Sequence, residues 1–368
     1  MVALTRVLVV NAGSSSLKLR LLGTDDAVLL AHDIAAHHGV FDASELRTAV
    51  DRVADEVDAV GHRVVHGGAR FGGAVLVDTS TEYAIRELAD LAPLHQPESL
   101  AGIAAVRSAL PDTPTVACFD TAFFATLPAA AATYPVPSEW RERLGVRRFG
   151  FHGLSHSYAG RRAAHLLGCP AAQLRVVTCH LGAGASLAAV RDGMPVDTTM
   201  GFTPLEGLMM ATRSGTVDPG LVTWLVRHAG VDVDEVADAL EHRSGLMALA
   251  GTSDMSEALA AADRDEAPAV LAIEVYLHRL RAGVASMASA MNGLDAVVFT
   301  GGVGESSAAI RSGAAAGLGF LGVELDERAN AAPALDADVT AAGAKVRVLV
   351  VAAREDLQIA SEVRSLLA

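Results

Sequence analysis

The chain has 368 residues, 51% of them apolar, which is enough to bury a large core and suggests two domains. A formal charge of −14, with Lys and Arg spread thinly, argues against a nucleic-acid surface or an anionic membrane as partner, so any anionic substrate has to be held by a few local cations. Cys118, Cys169 and Cys179 are odd in number and lack metal spacing, which argues against a disulfide framework or a zinc site and fits a reducing cytoplasm.

The first predicted elements are two apolar runs, Val7 to Val10 and Leu17 to Leu21, hinged on Gly13-Ser14-Ser15-Ser16. They read as a β-hairpin. Its turn offers backbone N–H groups and hydroxyls, with Lys18 nearby, as a polyphosphate requires; small residues in a turn are equally well explained as turn chemistry. A Walker loop is excluded, because no G-K-[ST] ending and no helix follow. The strand comes at once, without a charged leader and cleavage site, and no apolar run approaches the ~20 residues that span a bilayer. A soluble cytoplasmic protein is expected.

Ser44 is placed to cap a helix with Leu46, Val50, Val53 and Val57 on one face, followed by a strand over Ala59–Val65. Helices are then expected over Thr79–Leu91 and from Pro97, and a buried strand over Thr115–Phe119 that ends in Asp120. The Ala-rich stretch Ala129–Pro137, with two prolines, reads as the crossing between domains. Beyond it, Arg175–Val190 repeats the layout of the opening hairpin about 170 residues later, hinged on Gly182-Ala183-Gly184, which suggests a duplicated domain. A helix over Pro268–Met291 and a strand over Ala296–Thr300 lead into Gly301-Gly302-Val303-Gly304, where open α/β sheets bind nucleotides. The strand Val346–Val351 leads through Arg354-Glu355-Asp356 into a terminal helix. Alternating strands and helices make the chain α/β.

Arg63 lies in an apolar strand, where an unpaired guanidinium is costly, so its partner is either an internal carboxylate or a substrate anion. Arg213, in a polar loop, is more freely a ligand group. Two such forks suit a carboxylate and a transferring phosphoryl group. Asp120 and Glu355 follow strand ends, where magnesium-binding carboxylates are often found and helix caps equally so. His95 and His152 lie in loops flanked by Pro or Gly, and His180 precedes the second glycine turn; each is a candidate for the same phosphates or for a solvated ring. No G-x-S-x-G elbow, H-E-x-x-H or complete G-x-G-x-x-G is present.

Taken together the motifs resemble the acetate kinase (acetokinase) family of the acetate and sugar kinase, Hsp70 and actin superfamily. The matching segments are NAGSSSLK (Asn11 to Lys18), GHRVVHGG (Gly61 to Gly68), LAPLHQP (Leu91 to Pro97), FDTAF (Phe119 to Phe123), FGFHGLSH (Phe149 to His156), CHLGAGAS (Cys179 to Ser186), DTTMGFTPLEGLMMATRSG (Asp197 to Gly215), FTGGVGE (Phe299 to Glu305) and ARED (Ala353 to Asp356). The resemblance implies two duplicated actin-like, ribonuclease H-like domains around a central cleft, over residues 1–121 completed by the helix 355–368, and over 122–354. It also implies a homodimer and reversible γ-phosphoryl transfer from ATP, with Mg (or Mn), to acetate, giving acetyl phosphate and ADP.

By position, Arg63 and Arg213 hold acetate and the phosphoryl group, His152 stabilises the transition state, and His95, His180 and Asp120 assist. Val65, Leu94, Phe151 and Pro204 form the methyl pocket. Asn11, Ser14 and Lys18 make the first phosphate loop. Gly182, Ala183, Gly184, Asp254, Met255, Ser256, Gly302, Val303, Gly304 and Glu305 face the nucleotide, and Asn11, Asp120 and Glu355 orient the metal or its waters.

This chain has Ala183 where the family commonly has Asn, and Ser256 where it commonly has Arg; Gln96 and Phe124 stand for Asn and His. The first two departures fall on the nucleotide side. Alternatives are therefore a pyrophosphate donor, a propionate or butyrate acceptor, since one methylene is worth only ~1–3 kcal/mol of discrimination, or a non-catalytic nucleotide-binding sensor.

Overall fold

The computed structural model describes residues 5–13, 16–37, 40–92 and 96–368. The chain forms two compact units: the first comprises residues 1–126, 151–158 and 354–368, the second 127–150 and 159–353. Ala129–Pro137, read above as a crossing, belongs to the second unit. It is tied there by Arg148 N–H donating to the Ala132 carbonyl (2.8 Å) and Phe202 N–H donating to the Tyr134 hydroxyl (3.0 Å).

In the first unit the strands are β1 (Val7–Ala12), β2 (Ser16–Leu22), β3 (Val28–His37), β4 (Val40–Phe41), β5 (Ala59–Val64), β6 (Val75–Leu76) and β7 (Thr115–Phe119). They form one sheet in the order β4-β3-β2-β1-β5-β7-β6, with β1 antiparallel to β2 and parallel to β5, and β5 parallel to β7. The opening hairpin is therefore present. Because side chains alternate across a strand, Val7 and Val9 pack on one face with Ala59, Val116, Cys118 and the terminal helix residues Ile359, Ala360 and Val363. Leu8 and Val10 pack on the other, with Leu46 and Val50 of the helix Ala43–Asp51 and Val106 of the helix Gln96–Ala109. A strand buried on both faces needs an unbroken apolar run, which is what Val7–Val10 supplies.

Two helix expectations shift. The carboxylate of Asp42, not Ser44, caps the first helix, accepting from the N–H groups of Ser44 (2.8 Å) and Glu45 (3.3 Å). That helix ends at Asp51, short of Val53 and Val57. The expected helix Thr79–Leu91 stops at Arg86 and resumes as a 3₁₀ turn, Ala89–Leu91.

The second unit repeats the plan. Strands β8 (Arg175–Leu181), β9 (Ala185–Arg191), β10 (Met194–Thr198), β11 (Ala296–Thr300), β12 (Ala337–Asp338) and β13 (Arg347–Val350) form a sheet in the order β10-β9-β8-β11-β13-β12. Again an antiparallel pair, β8 with β9, leads into two parallel neighbours, β11 and β13. The two sheets share one strand order, that of a duplicated actin-like fold. The helix Ala267–Ala290 buries Ala272, Tyr276, Leu280, Val284 and Met287. Among the described residues no helix is long and apolar enough to cross a membrane.

Candidate active site

The alternation that packs the terminal helix of the first unit also builds a polar cluster. Two residues beyond Val9, Gly61 and Cys118 on the covered face come Asn11, Arg63 and Asp120, at the carboxyl ends of three adjacent parallel strands. Here the apolar stripe runs out, and the helix that covers it begins with Glu355. The four side chains form one hydrogen-bonded chain. Arg63 Nε donates to both oxygens of Asp120 (3.2 and 3.2 Å) and its Nη2 donates to Asp120 Oδ2 (2.6 Å). Arg63 Nη1 makes longer bonds to Asn11 Oδ1 (3.4 Å) and the Ala12 carbonyl (3.3 Å), while Asn11 Nδ2 donates to Glu355 Oε2 (2.7 Å). Burial opposes the charge on Arg63, yet Asp120, Glu355 and Glu98 outweigh it, so the guanidinium holds its proton more firmly than usual. Of the two partners left open for Arg63, the internal carboxylate is present: it is Asp120, whose side chain is only 1% exposed.

His152 has a left-handed backbone, φ 56°, a conformation costly for a residue other than Gly and Asn-like types and often found at functional sites. It is held there by Gly153, whose N–H donates to the Asp120 carbonyl (2.9 Å). A Cβ at Gly153 would overlap that oxygen and lie 2.8 Å from Phe123 Cβ, so the chain can approach Asp120 this closely only without a side chain. Phe151 is buried and meets the buried His66 edge-on at 5.3 Å, and Val65 is buried beside it in sequence. His66 was given no role by the sequence, and Gln96 stood out there only as a departure from the family's Asn. Gln96 Nε2 donates to the His66 carbonyl (2.8 Å), and His66 Nδ1 accepts from Gly68 N–H (2.8 Å). Phe124 is fully buried and lies edge-on to His156 at 5.9 Å. Lys18 is exposed and directly opposite Asn11 on β2. Ser14, Leu94 and His95 lie outside the described residues.

For a magnesium ion, the donors of the first unit are the carboxylates of Asp120 and Glu355 and the amide of Asn11. Among the described residues no group of three or more His, Cys, Asp or Glu side chains could hold a metal by itself. Magnesium carried in with a nucleotide takes only one or two protein carboxylates, the rest of its shell being phosphate and water, so this donor set fits.

In the second unit, pairing of β8 with β9 and β11 sets His180 opposite Ser186 and Thr300. The turn after it is closed by Gly182 N–H donating to the Gly184 carbonyl (2.9 Å), and Ala183 is exposed with its carbonyl accepting from Ala211 N–H (3.1 Å). Next to it, β11 runs into the short helix Gly301–Ser306, in which Gly302 is exposed. Glu305 turns inward: its Oε1 accepts from Gly301 N–H (3.0 Å) and Ala353 N–H (2.9 Å). Arg311, also unanticipated, is fully buried and donates to the carbonyls of Gly304 and Glu305 (2.8 Å each), fixing the end of that helix. Asp254 caps the helix Met255–Ala262 through the N–H groups of Ser256 (2.7 Å) and Glu257 (3.0 Å), with Met255 buried; these bonds are local to the cap.

Arg213 sits differently from Arg63. Among the described residues its Nη1 reaches only the Pro204 carbonyl (3.4 Å) and the Met210 sulfur (3.9 Å), and it forms no ion pair with them. Burial depresses its pKa, partly offset by Glu241. A desolvated cation without a direct ion-pair partner is suited to receive an anion.

A family model described as the acetokinase family matches residues 30–361. The acetate kinase of Gloeobacter violaceus is 52% identical over 309 residues, 83% of this chain and 76% of that protein. The crystal structure of Porphyromonas gingivalis acetate kinase superposes with a TM-score of 0.91 at 34% identity, covering 99% of this chain and 100% of its own. A propionate kinase from Francisella tularensis superposes with a TM-score of 0.89, also at 34% identity, covering 97% and 98%.

Proposed function

The chain belongs to the acetokinase family, and from that premise we propose that it transfers the γ-phosphoryl group of ATP reversibly to acetate, yielding acetyl phosphate and ADP. The observation that carries this reading is the contrast between two part-buried guanidinium groups, one paired with an internal acid and one that forms no ion pair among the described residues. Arg63, oriented by Asp120, presents Nη1, whose present bonds are long enough to be exchanged for a substrate oxygen. Arg213 supplies the second fork, and both act on the acceptor carboxylate and the moving phosphoryl group. His152 adds a hydrogen bond to the same charge, and His95 and His180 assist. Val65, Leu94, Phe151 and Pro204 exclude water around the methyl group.

The reaction is a direct in-line displacement. A carboxylate oxygen of acetate bonds to the γ-phosphorus as the bond to the β–γ bridging oxygen breaks, and no proton need move. Such a transfer is governed by positioning and charge neutralisation rather than by a protein nucleophile, which matches the residues at hand. Asn11, Ser14 and Lys18 receive the terminal phosphates. Gly182–Gly184 and Gly302–Glu305 line the nucleotide, and Asp254 to Ser256 approach its base. Asn11, Asp120 and Glu355 would orient Mg²⁺ or Mn²⁺ or its waters, and the ion would supply neutralisation of phosphate charge. Exposed Leu221, Trp224 and Val226 on the segment Pro219–Ala229 support a second copy of the chain as partner.

A second acceptor, propionate, is favoured by the likeness to the Francisella tularensis protein. Steady-state hydroxamate assays over acetate, propionate and butyrate, each with ATP, GTP and pyrophosphate, test both assignments. Highest kcat/KM is expected for acetate with ATP. A clear preference for pyrophosphate would overturn the donor, and nucleotide binding without turnover would overturn the enzyme reading itself.

A further inference from the structure

A charged cluster in the second unit lies outside every residue assigned above. Glu206 is held on both oxygens: the Tyr134 hydroxyl donates to Oε2, and Arg148 Nη2 donates to Oε1 (2.8 Å). Arg148 stacks over the Tyr134 ring at 5.3 Å, and its Nη1 donates to the carbonyls of Thr199 (3.2 Å) and Met200 (3.1 Å). The Tyr134 hydroxyl in turn accepts from Phe202 N–H (3.0 Å), and Gly201 leaves no room for a side chain between Glu206 and Tyr134. The loop from Thr199 to Glu206 is thus pinned at four successive residues and at its end.

What the loop carries explains why it is pinned. Pro204 lies within it, and among the described residues the Pro204 carbonyl is the oxygen to which the Arg213 guanidinium donates. The path runs without a gap from Tyr134 and Arg148 through Glu206 and the loop to Pro204 and Arg213. Every bond along it except the last involves a charged or hydroxyl donor or acceptor at good geometry, or a covalent link.

We propose that Tyr134, Glu206 and Arg148 are positioning residues that set the depth of the acyl pocket at Pro204 and the aim of Arg213, and so determine acceptor affinity and chain-length preference. The inference rests on the acetate-kinase reading above. Nothing in the cluster touches the glycine turns assigned to the nucleotide, so the donor is not expected to sense it.

The test is Tyr134→Phe, which keeps the ring and removes only the hydroxyl, with Glu206→Gln as a second variant of the same link. Arg175→Gln serves as a stability control, because Arg175 pairs with Asp295 at the far end of β8 (2.7 Å) and not with the loop. Tyr134→Phe and Glu206→Gln are expected to raise the KM for acetate about tenfold and to narrow the acetate-over-propionate ratio, while kcat falls less and the KM for ATP stays within about twofold. The control is expected to lower Tm with acetate KM unchanged. Unchanged acetate KM in both variants, parallel rises in acetate and ATP KM, or an equal rise in the control would each overturn the proposal. A wild-type chain that fails to phosphorylate acetate would overturn the parent reading instead, so the two failures are distinguishable.

Discussion

Gly153→Ala is a perturbation of one methyl group whose consequence can be worked from the structure. The added Cβ would overlap the Asp120 carbonyl oxygen, and would lie 2.8 Å from Phe123 Cβ and 3.1 Å from the Asp120 carbonyl carbon, where ordinary contact begins at 3.4 Å. Asp120 cannot yield easily: its N–H donates to the Val64 carbonyl (3.0 Å), and its side chain is committed to Arg63. The segment that moves is then the turn at His152 and Gly153, which would also lose the Gly153 N–H bond to Asp120. Overpacking of this kind costs about 1–3 kcal/mol, with roughly 2–4 °C of Tm per kcal/mol. The functional effect is larger, because a shift on the order of 1 Å in a group that meets the reacting atoms costs about 10²-fold in rate. Hydroxamate kinetics and thermal melts on the purified variant measure both. A kcat/KM within twofold of wild type would refute the claim that this turn sets the position of His152 over the reacting group.

Asp120→Asn strips the foremost of the charges that compensate the part-buried Arg63 guanidinium, so a loss of about 3–5 kcal/mol in unfolding free energy and near-complete loss of turnover are expected; denaturant melts showing no destabilisation would argue that Glu355 and Glu98 suffice. His62 is buried on β5 and burial alone depresses its pKa to about 3, so it is neutral in the fold. Since the folded pKa lies below the unfolded value of 6.5, its contribution is fully present above pH 6.5 and is lost as pH falls towards 3. Between pH 6.5 and 5 this amounts to about 2 kcal/mol, and His62→Leu should flatten that part of the stability profile; an unchanged slope in the variant would contradict the assignment.

Much of this was legible because strands buried on both faces leave a strong mark. Val7–Val10, Val116–Phe119 and Ala296–Phe299 are apolar throughout, and the polar residue that follows each run stands at the carboxyl end of its strand, the end at which open α/β sheets bind ligands. Asn11 and Asp120 were visible for that reason, and Arg63 because a guanidinium in an apolar strand demands a partner. The Tyr134–Glu206–Arg148 cluster was not, since its members lie far apart in sequence without periodicity, and the Ala-rich stretch around Tyr134 looks like a linker. Arg311 carries no signal either: three of its partners are backbone carbonyls, which every residue has, and the fourth is the side-chain amide of Asn330, nineteen residues away without periodicity. Ser44 and Asp42, two residues apart, are both good cap types, and only the geometry shows that the Asp42 side chain accepts.

The central claim is that Arg213, which forms no ion pair among the described residues, receives the acceptor, and one measurement addresses it directly. Phosphorus NMR of the protein with ATP, Mg²⁺ and acetate should show an acetyl phosphate resonance with the wild-type chain and none with Arg213→Ala, while both bind ATP with nearly equal affinity by titration calorimetry. Acetyl phosphate formed by Arg213→Ala at the wild-type rate would contradict the account.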